Sequence, residues 1–295
     1  MNFTICIKNS IPFYVSLAII LITNIVSGQE RIALNVKYEF LHSRNAEQVD
    51  VISKENVILS VSDKSSRYCS ERRYNEVMQI AEKKSTGNAG QNSGSAKVVS
   101  GGPLLLVNNS GPLMKEEIIK KFEDEKLFIY TSLGFKSFQI ETPIPEIKWE
   151  IKPESRNIGN IKCQKAIGDY AGRTYIAWFA PELPYNDGPW KLSGLPGLIL
   201  EASDDKNEVQ FKFKELIRSP DKRKESLVSF NKSRYNQPIS LKSYNRLKNA
   251  FESDPVGVSR AQVNNARVLI SNVNGDSNKD AANLKIKKYN PIELE

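Results

Sequence analysis

The residues whose types could carry chemistry are concentrated between positions 158 and 204. Glu182 and Asp187 fall in one loop, Pro181 to Gly188, and a pair of carboxylates at a set separation is the tool of glycoside hydrolysis. Sharing a short loop does not fix that separation, so sequence alone does not make them a catalytic pair. Cys163 would need a base beside it to act as a nucleophile. The one histidine, His42, is far away in sequence, so a buried thiol or a disulfide is the reading adopted for Cys163. A single histidine also excludes a His-rich metal centre and gives a Ser-His-Asp triad only one place to start. There is no phosphate-cradling glycine loop, EF-hand or Cys-x-x-Cys. No cofactor and no metal site is expected, and a hydrolase using Glu182, Asp187 or Cys163 is the enzyme reading that stays open.

The same segment carries turn chemistry and aromatic residues. In Leu195-Pro196-Gly197-Leu198, proline presets φ for the second position of a type II turn and glycine accepts positive φ at the third. Such a corner would launch a strand with Leu198, Leu200 and Ala202 facing a core and Glu201 and Ser203 facing water. Trp178, Phe179 and Trp190 lie close to glycines that let another backbone approach. They are either core rings or part of a binding surface. Arg173 is placed by alternation on the side opposite Trp178, as a solvated charge or an anion contact. Arg173, Trp178 and Trp190 are therefore the residues expected to touch a ligand or partner, if any do.

These elements in their order resemble a known family. Cys163-x-Lys165-Ala166, Gly172-Arg173-x-Tyr175-x-Ala177-Trp178, Gly188-Pro189-Trp190 and Gly194-Leu195-Pro196-Gly197-Leu198-Ile199 look like the GLPGLI family, exported proteins of the Bacteroidetes phylum named for that hexapeptide. Trp149 and the ending Asn290-Pro291-Ile292-Glu293-Leu294 are similar to the family as well. The likeness runs from about Trp149 to Ile217 and weakens over Ile32 to Tyr68. It implies a cell-envelope address without an assigned reaction. It also implies a role auxiliary to TonB-dependent outer-membrane receptors.

Compartment follows from the first residues. Lys8, the apolar run Ile11 to Ile25 and the small residues Val26-Ser27-Gly28 read as a secretory signal over residues 1–28. The expected mature chain, 29–295, is exported to the periplasm or the outer membrane and has no later run near the length of a spanning helix. Cys69 and Cys163 would remain, either bridged in an oxidising compartment or as two buried thiols. The formal charge of +8 includes Lys8, which leaves +7 on the mature chain. Outside the cytoplasm that balance points to anionic headgroups, polysaccharide or an acidic partner rather than to nucleic acid. The densest basic run, Arg218 to Arg234, is read as a solvated loop.

The elements that must position these residues are mostly strands. Period-two alternation appears in Ile147-Trp149-Ile151 and Val209-Phe211-Phe213, and strands are also expected over Ile32–Phe40, Asn56–Val61, Lys126–Tyr130, Phe135–Glu141, Thr174–Phe179 and Leu198–Ala202. Helices are expected over Ser70–Lys84, Lys115–Phe122 and Lys242–Glu252. Residues 86–102 and 264–280 are polar and read as flexible loops. The expectation is one mainly β domain: a curved antiparallel open sheet or half-barrel, its concave apolar side closed by one or two short helices. That concave side is either a packed core or a groove for an apolar ligand, as in a lipid carrier.

Overall fold

In a computed structural model, residues 32–43, 52–85, 104–108, 114–218, 237–262, 267–271 and 291–294 are described. Strands follow the apolar alternation: β1 (Leu34–Ser43), β2 (Ile52–Val61), β3 (Ser65–Ser70), β4 (Leu104–Asn108), β5 (Glu117–Lys121), β6 (Lys126–Leu133) and β7 (Lys136–Pro143). They continue with β8 (Glu150–Ile158), β9 (Ile161–Tyr170), β10 (Arg173–Ala180), β11 (Leu198–Asp204), β12 (Val209–Arg218), β13 (Gln237–Pro238) and β14 (Arg267–Ser271). Three helices, α1 (Glu71–Ser85), α2 (Leu241–Ser253) and α3 (Pro255–Gln262), accompany them. Twelve of the strands form one open sheet in the order β13-β7-β6-β5-β3-β2-β1-β12-β11-β10-β9-β8. Its pairings are antiparallel except for β13 with β7.

The sheet bends. Tyr68 on β3 and Phe211 on β12 are separated by β2 and β1, yet their rings lie 6.4 Å apart. At about 4.8 Å per strand a flat sheet would hold those strands roughly three spacings apart. The concave face carries Val36, Tyr38, Phe40, Leu59, Tyr68, Ile118, Ile129, Ile140, Tyr175, Ala177 and Phe211, all buried. Burying apolar surface on this scale is what holds the bend, since each large side chain removed from water contributes about 1.5–3 kcal/mol.

What closes the concavity differs from expectation. It is filled chiefly by the chain's own loop between β10 and β11, residues 181–197, whose Leu183, Trp190, Leu192 and Leu195 are buried in the same cluster. α2 contributes only at one end, where Tyr244 packs edge-on against Phe138 and its hydroxyl lies 3.4 Å from Thr131 Oγ1. α1 lies on the convex side, tied by Lys37–Glu71 and by Arg73 to Glu117. Where described, the concave face is therefore a packed core and not an open groove.

Two elements overturn local readings. Residues 115–122, expected as helix, form β5: Ile118 and Lys120 point into the concavity while Glu117 and Ile119 point out. The charged-apolar-charged run mimics a helical face, and tertiary pairing with β3 and β6 decides otherwise. Residues 267–271, inside the stretch read as a flexible excursion, form β14, parallel to β4 and outside the main sheet. Its Val268-Leu269-Ile270 run is short and was masked by polar flanks. The remainder of 264–280, residues 86–102, the expected signal segment and most of Arg218–Arg234 lie outside the described residues. The alternation at Ile147 and Trp149 is irregular chain, and β8 starts only at Glu150.

Candidate functional site

The loop 181–197 is a self-bonded plug. Leu183 N donates to Ala180 O, Tyr185 N to Leu183 O, Asp187 N to Tyr185 O, and Gly194 N to Asn186 O. Leu198 N then donates to Leu183 O and Ile199 N to Asp187 O, which ties the exit of the loop to its entry. The hexapeptide within it is not a type II turn. Gly197 N donates to Leu195 O at 2.8 Å, a three-residue turn centred on Pro196, and Leu198 N is already committed to Leu183. Glycine is needed at 197 because φ is +153° and a Cβ would sit 2.3 Å from Ala180 O. The strand that follows buries Leu198, Leu200 and Ala202 as expected, with Glu201 and Ser203 half-exposed. Ile199 is buried too, because the register slips between Trp178 and Phe179. Its side chain packs where a Cβ on Gly188 would sit.

Lys120 reaches from β5 across the concavity and pins the plug. Its Nζ donates to Asp187 Oδ1 at 2.5 Å, Leu192 O at 3.0 Å and Gly188 O at 3.2 Å, which uses all three ammonium hydrogens. Lys120 is 1% and Asp187 0% exposed at the side chain. Tyr38 on β1 donates to Ile199 O at 2.7 Å, and burial together with the nearby Asp187 carboxylate raises its phenol well above the ordinary range. Trp149 Nε1 donates to Ser193 O at 2.8 Å from the opposite side.

Each residue singled out in the sequence now has a place. Trp190 is 1% exposed and sits against Tyr170 and Tyr175, with Lys191 Nζ 5.4 Å from its ring. It holds φ of +56°, a conformation that costs a bulky residue on the order of 1–3 kcal/mol and persists only where packing enforces it. Gly188, Pro189 and Gly194 shape the same plug. Arg173 is buried, not a solvated charge: its Nη1 donates to Asp204 at 2.5 Å and Glu208 at 2.8 Å. It is opposite Trp178 as alternation requires, but the side it takes is the concave one. Trp178 is half-buried on the convex face, with the Arg156 guanidinium 4.2 Å from its ring centre and Arg156 paired to Glu201. Arg173, Trp178 and Trp190 thus do not converge on one surface.

The open enzyme residues are also dispersed. Asp187 faces the core while Glu182, in the same loop, is exposed. Cys163 and Cys69 are free and buried, six positions apart in the strand order, so of the two readings left open the pair of buried thiols is the one observed and the bridge is absent. Burial pushes the Cys163 thiol up to about 11, Arg156 pulling the other way, and pushes Cys69 up to about 12 against Arg67. Among the described residues no group of three or more His, Cys, Asp or Glu is arranged to hold a metal ion, and no helix is long and apolar enough to cross a membrane. Lys120, Tyr38 and Arg156 were not foreseen. An inward lysine on a strand leaves no sequence signal until its carboxylate partner is placed.

Comparison with known proteins bears on this same region. No curated protein matches the chain. Two solved structures of PNGF-II share its course weakly: TM-score 0.48 at 11% identity, covering 72% of this chain and 33% of that one, and TM-score 0.45 at 12% identity, covering 72% and 32%. The chain spans about a third of the length of those structures. The hairpin β9–β10, from Tyr170, and the whole plug through Glu201 are matched, as residues 170–201, by the model of a family described as a protein of unknown function, Porph_ging.

Proposed function

We propose that this chain is an exported, non-enzymatic binding protein of the cell envelope that serves an outer-membrane TonB-dependent receptor through the convex face of β8–β11. The observation that carries the reading is the contrast within the expected site. The plug residues are committed to the core, whereas Trp178 lies half-buried on the outside under Arg156, beside Glu201 and Lys165 in register. A large aromatic ring with a charged rim is the anatomy of an interface anchor. Asp187 held by Lys120, and Glu182 turned to solvent, do not support a carboxylate pair for hydrolysis. The filled concavity does not support a carrier. The signal-like first residues and the net positive charge of the sequence support the address and an acidic partner surface.

The test is affinity purification of the tagged mature chain from the envelope of its own host, followed by native mass spectrometry. An outer-membrane receptor should be recovered with the wild type and lost with Trp178→Ala and Arg156→Glu, while both variants unfold at nearly the wild-type temperature. Equal recovery with both variants would overturn the assignment of this face. A bound small apolar mass in place of protein would return the carrier reading.

A further inference from the structure

Residues 291–294 lie across the turn between β9 and β10 and are held there through both backbone and side chains. Arg173 Nη2 donates to Pro291 O at 2.7 Å and its Nε to Ile292 O at 3.0 Å. Leu294 N donates to Ala171 O at 3.0 Å. Ile292 packs against the core, and Glu293 pairs with Lys191 of the plug. The other half of the guanidinium is fixed independently, through Nη1, by Asp204 and Glu208 on the β11–β12 hairpin; Asp204 is itself fixed by Val209 N at 2.9 Å. Arg173 is thus a fork held from its far side by groups that do not belong to residues 291–294.

We propose that this is a peptide-recognition cleft for an extended segment of a partner protein in which proline is followed by an apolar and then an acidic residue, and that residues 291–294 occupy it in cis as a built-in competitor. Emptying the cleft would hand Nε and Nη2 to water while Asp204 and Glu208 still hold Nη1, so an incoming chain would meet a fork already oriented for two carbonyls. Backbone carbonyls are acceptors that any chain offers. Selectivity comes from the apolar contact made at Ile292 and the cation Lys191, 7% exposed at its side chain. The occupant is replaceable because it is shallow: Pro291, Ile292 and Glu293 are half-exposed and Leu294 is 48% exposed. The cleft is separate from the convex face, so loss of a receptor there would leave it intact.

The test uses the full chain carrying Ile292→Asp and Glu293→Lys, which expels the segment, and a fluorescent peptide Asn-Pro-Ile-Glu-Leu with a capped end. Anisotropy titration should show saturable binding to this variant at least about tenfold tighter than to the wild type, whose own segment competes. Adding Arg173→Lys, which keeps charge but loses the fork, should abolish it, as should Glu→Lys in the peptide. No saturable binding to an expelled variant that still unfolds cooperatively would overturn the proposal, as would equal affinity for variant and wild type. Should the double variant fail to fold, amide exchange on the wild type decides: excess peptide should speed exchange at Leu294, and no change would overturn the proposal. Recovery of the wild type as a dimer exchanging these segments would overturn the assignment to a partner.

Discussion

Among the described residues two tryptophans sit in the same three-part constellation, one inside and one outside. On the concave side Lys191 sits over Trp190 and pairs with Glu293; on the convex side Arg156 sits over Trp178 and pairs with Glu201. The parts match, but Trp190 is 1% exposed, whereas the Arg156 side chain is 45% exposed. In the interior, low polarisability strengthens each electrostatic contact and makes an abandoned partner expensive. At the surface, water and salt reduce the same contacts to a fraction of that. Residue types therefore do not decide between a lock and a landing surface. The side of the bent sheet does.

The comparison breaks most sharply at Lys120. Lys120→Met leaves Asp187 buried without its cation and should destabilise the fold by about 3–5 kcal/mol, read as a fall in denaturant midpoint; a loss under about 1 kcal/mol would mean that the plug is not pinned there. Trp190→Ala should also cost about 3–5 kcal/mol, its positive φ unrelieved because alanine keeps the Cβ. Gly197→Val should cost more than about 1 kcal/mol from the strained φ and the contact with Ala180 O. Alkali should act more gradually. Both thiols titrate higher folded than unfolded, so their contribution is complete below the ordinary thiol pKa near 9 and is lost as pH rises towards 11 and 12. Urea midpoints from pH 7 to 11 should fall only above about 9, and Cys69→Ser with Cys163→Ser should flatten that fall. Smallest of all, Trp178→Ala on the convex face should change stability by about 1 kcal/mol or less. If it costs as much as Trp190→Ala, the two constellations are the same after all.

Much of the sheet was legible in the sequence because alternation survives wherever one face is dry and the other wet. Val209-Phe211 and the run from Tyr175 to Phe179 announce their strands directly. β3 did not, since all six of its residues are buried under sheet on one side and helix on the other, and a polar run of that kind has no period to read. β5 failed for the reason that makes it matter: Lys120 points inward. The plug was visible as a cluster of glycine, proline and tryptophan, and its corner was placed correctly but with the wrong turn. Which side Arg173 faced was beyond alternation, because alternation assigns relative sides and not which of them is the inside. Its carboxylate partners Asp204 and Glu208 are 31 and 35 residues away, and only the fold brings them together.

The two ends of the sheet share one property. β8, the strand at one border, carries Pro153 at a slip in its register together with Glu150, Lys152, Glu154 and Arg156; β13, at the other, ends in Pro238. Proline offers no amide hydrogen to a newcomer, and a row of charges repels a flat apolar strand. An unclosed sheet of twelve strands would otherwise be a template for fibre growth from either side. Borders of this kind terminate a sheet chemically where a barrel terminates it by closure, and they disfavour the edge-to-edge addition of further copies.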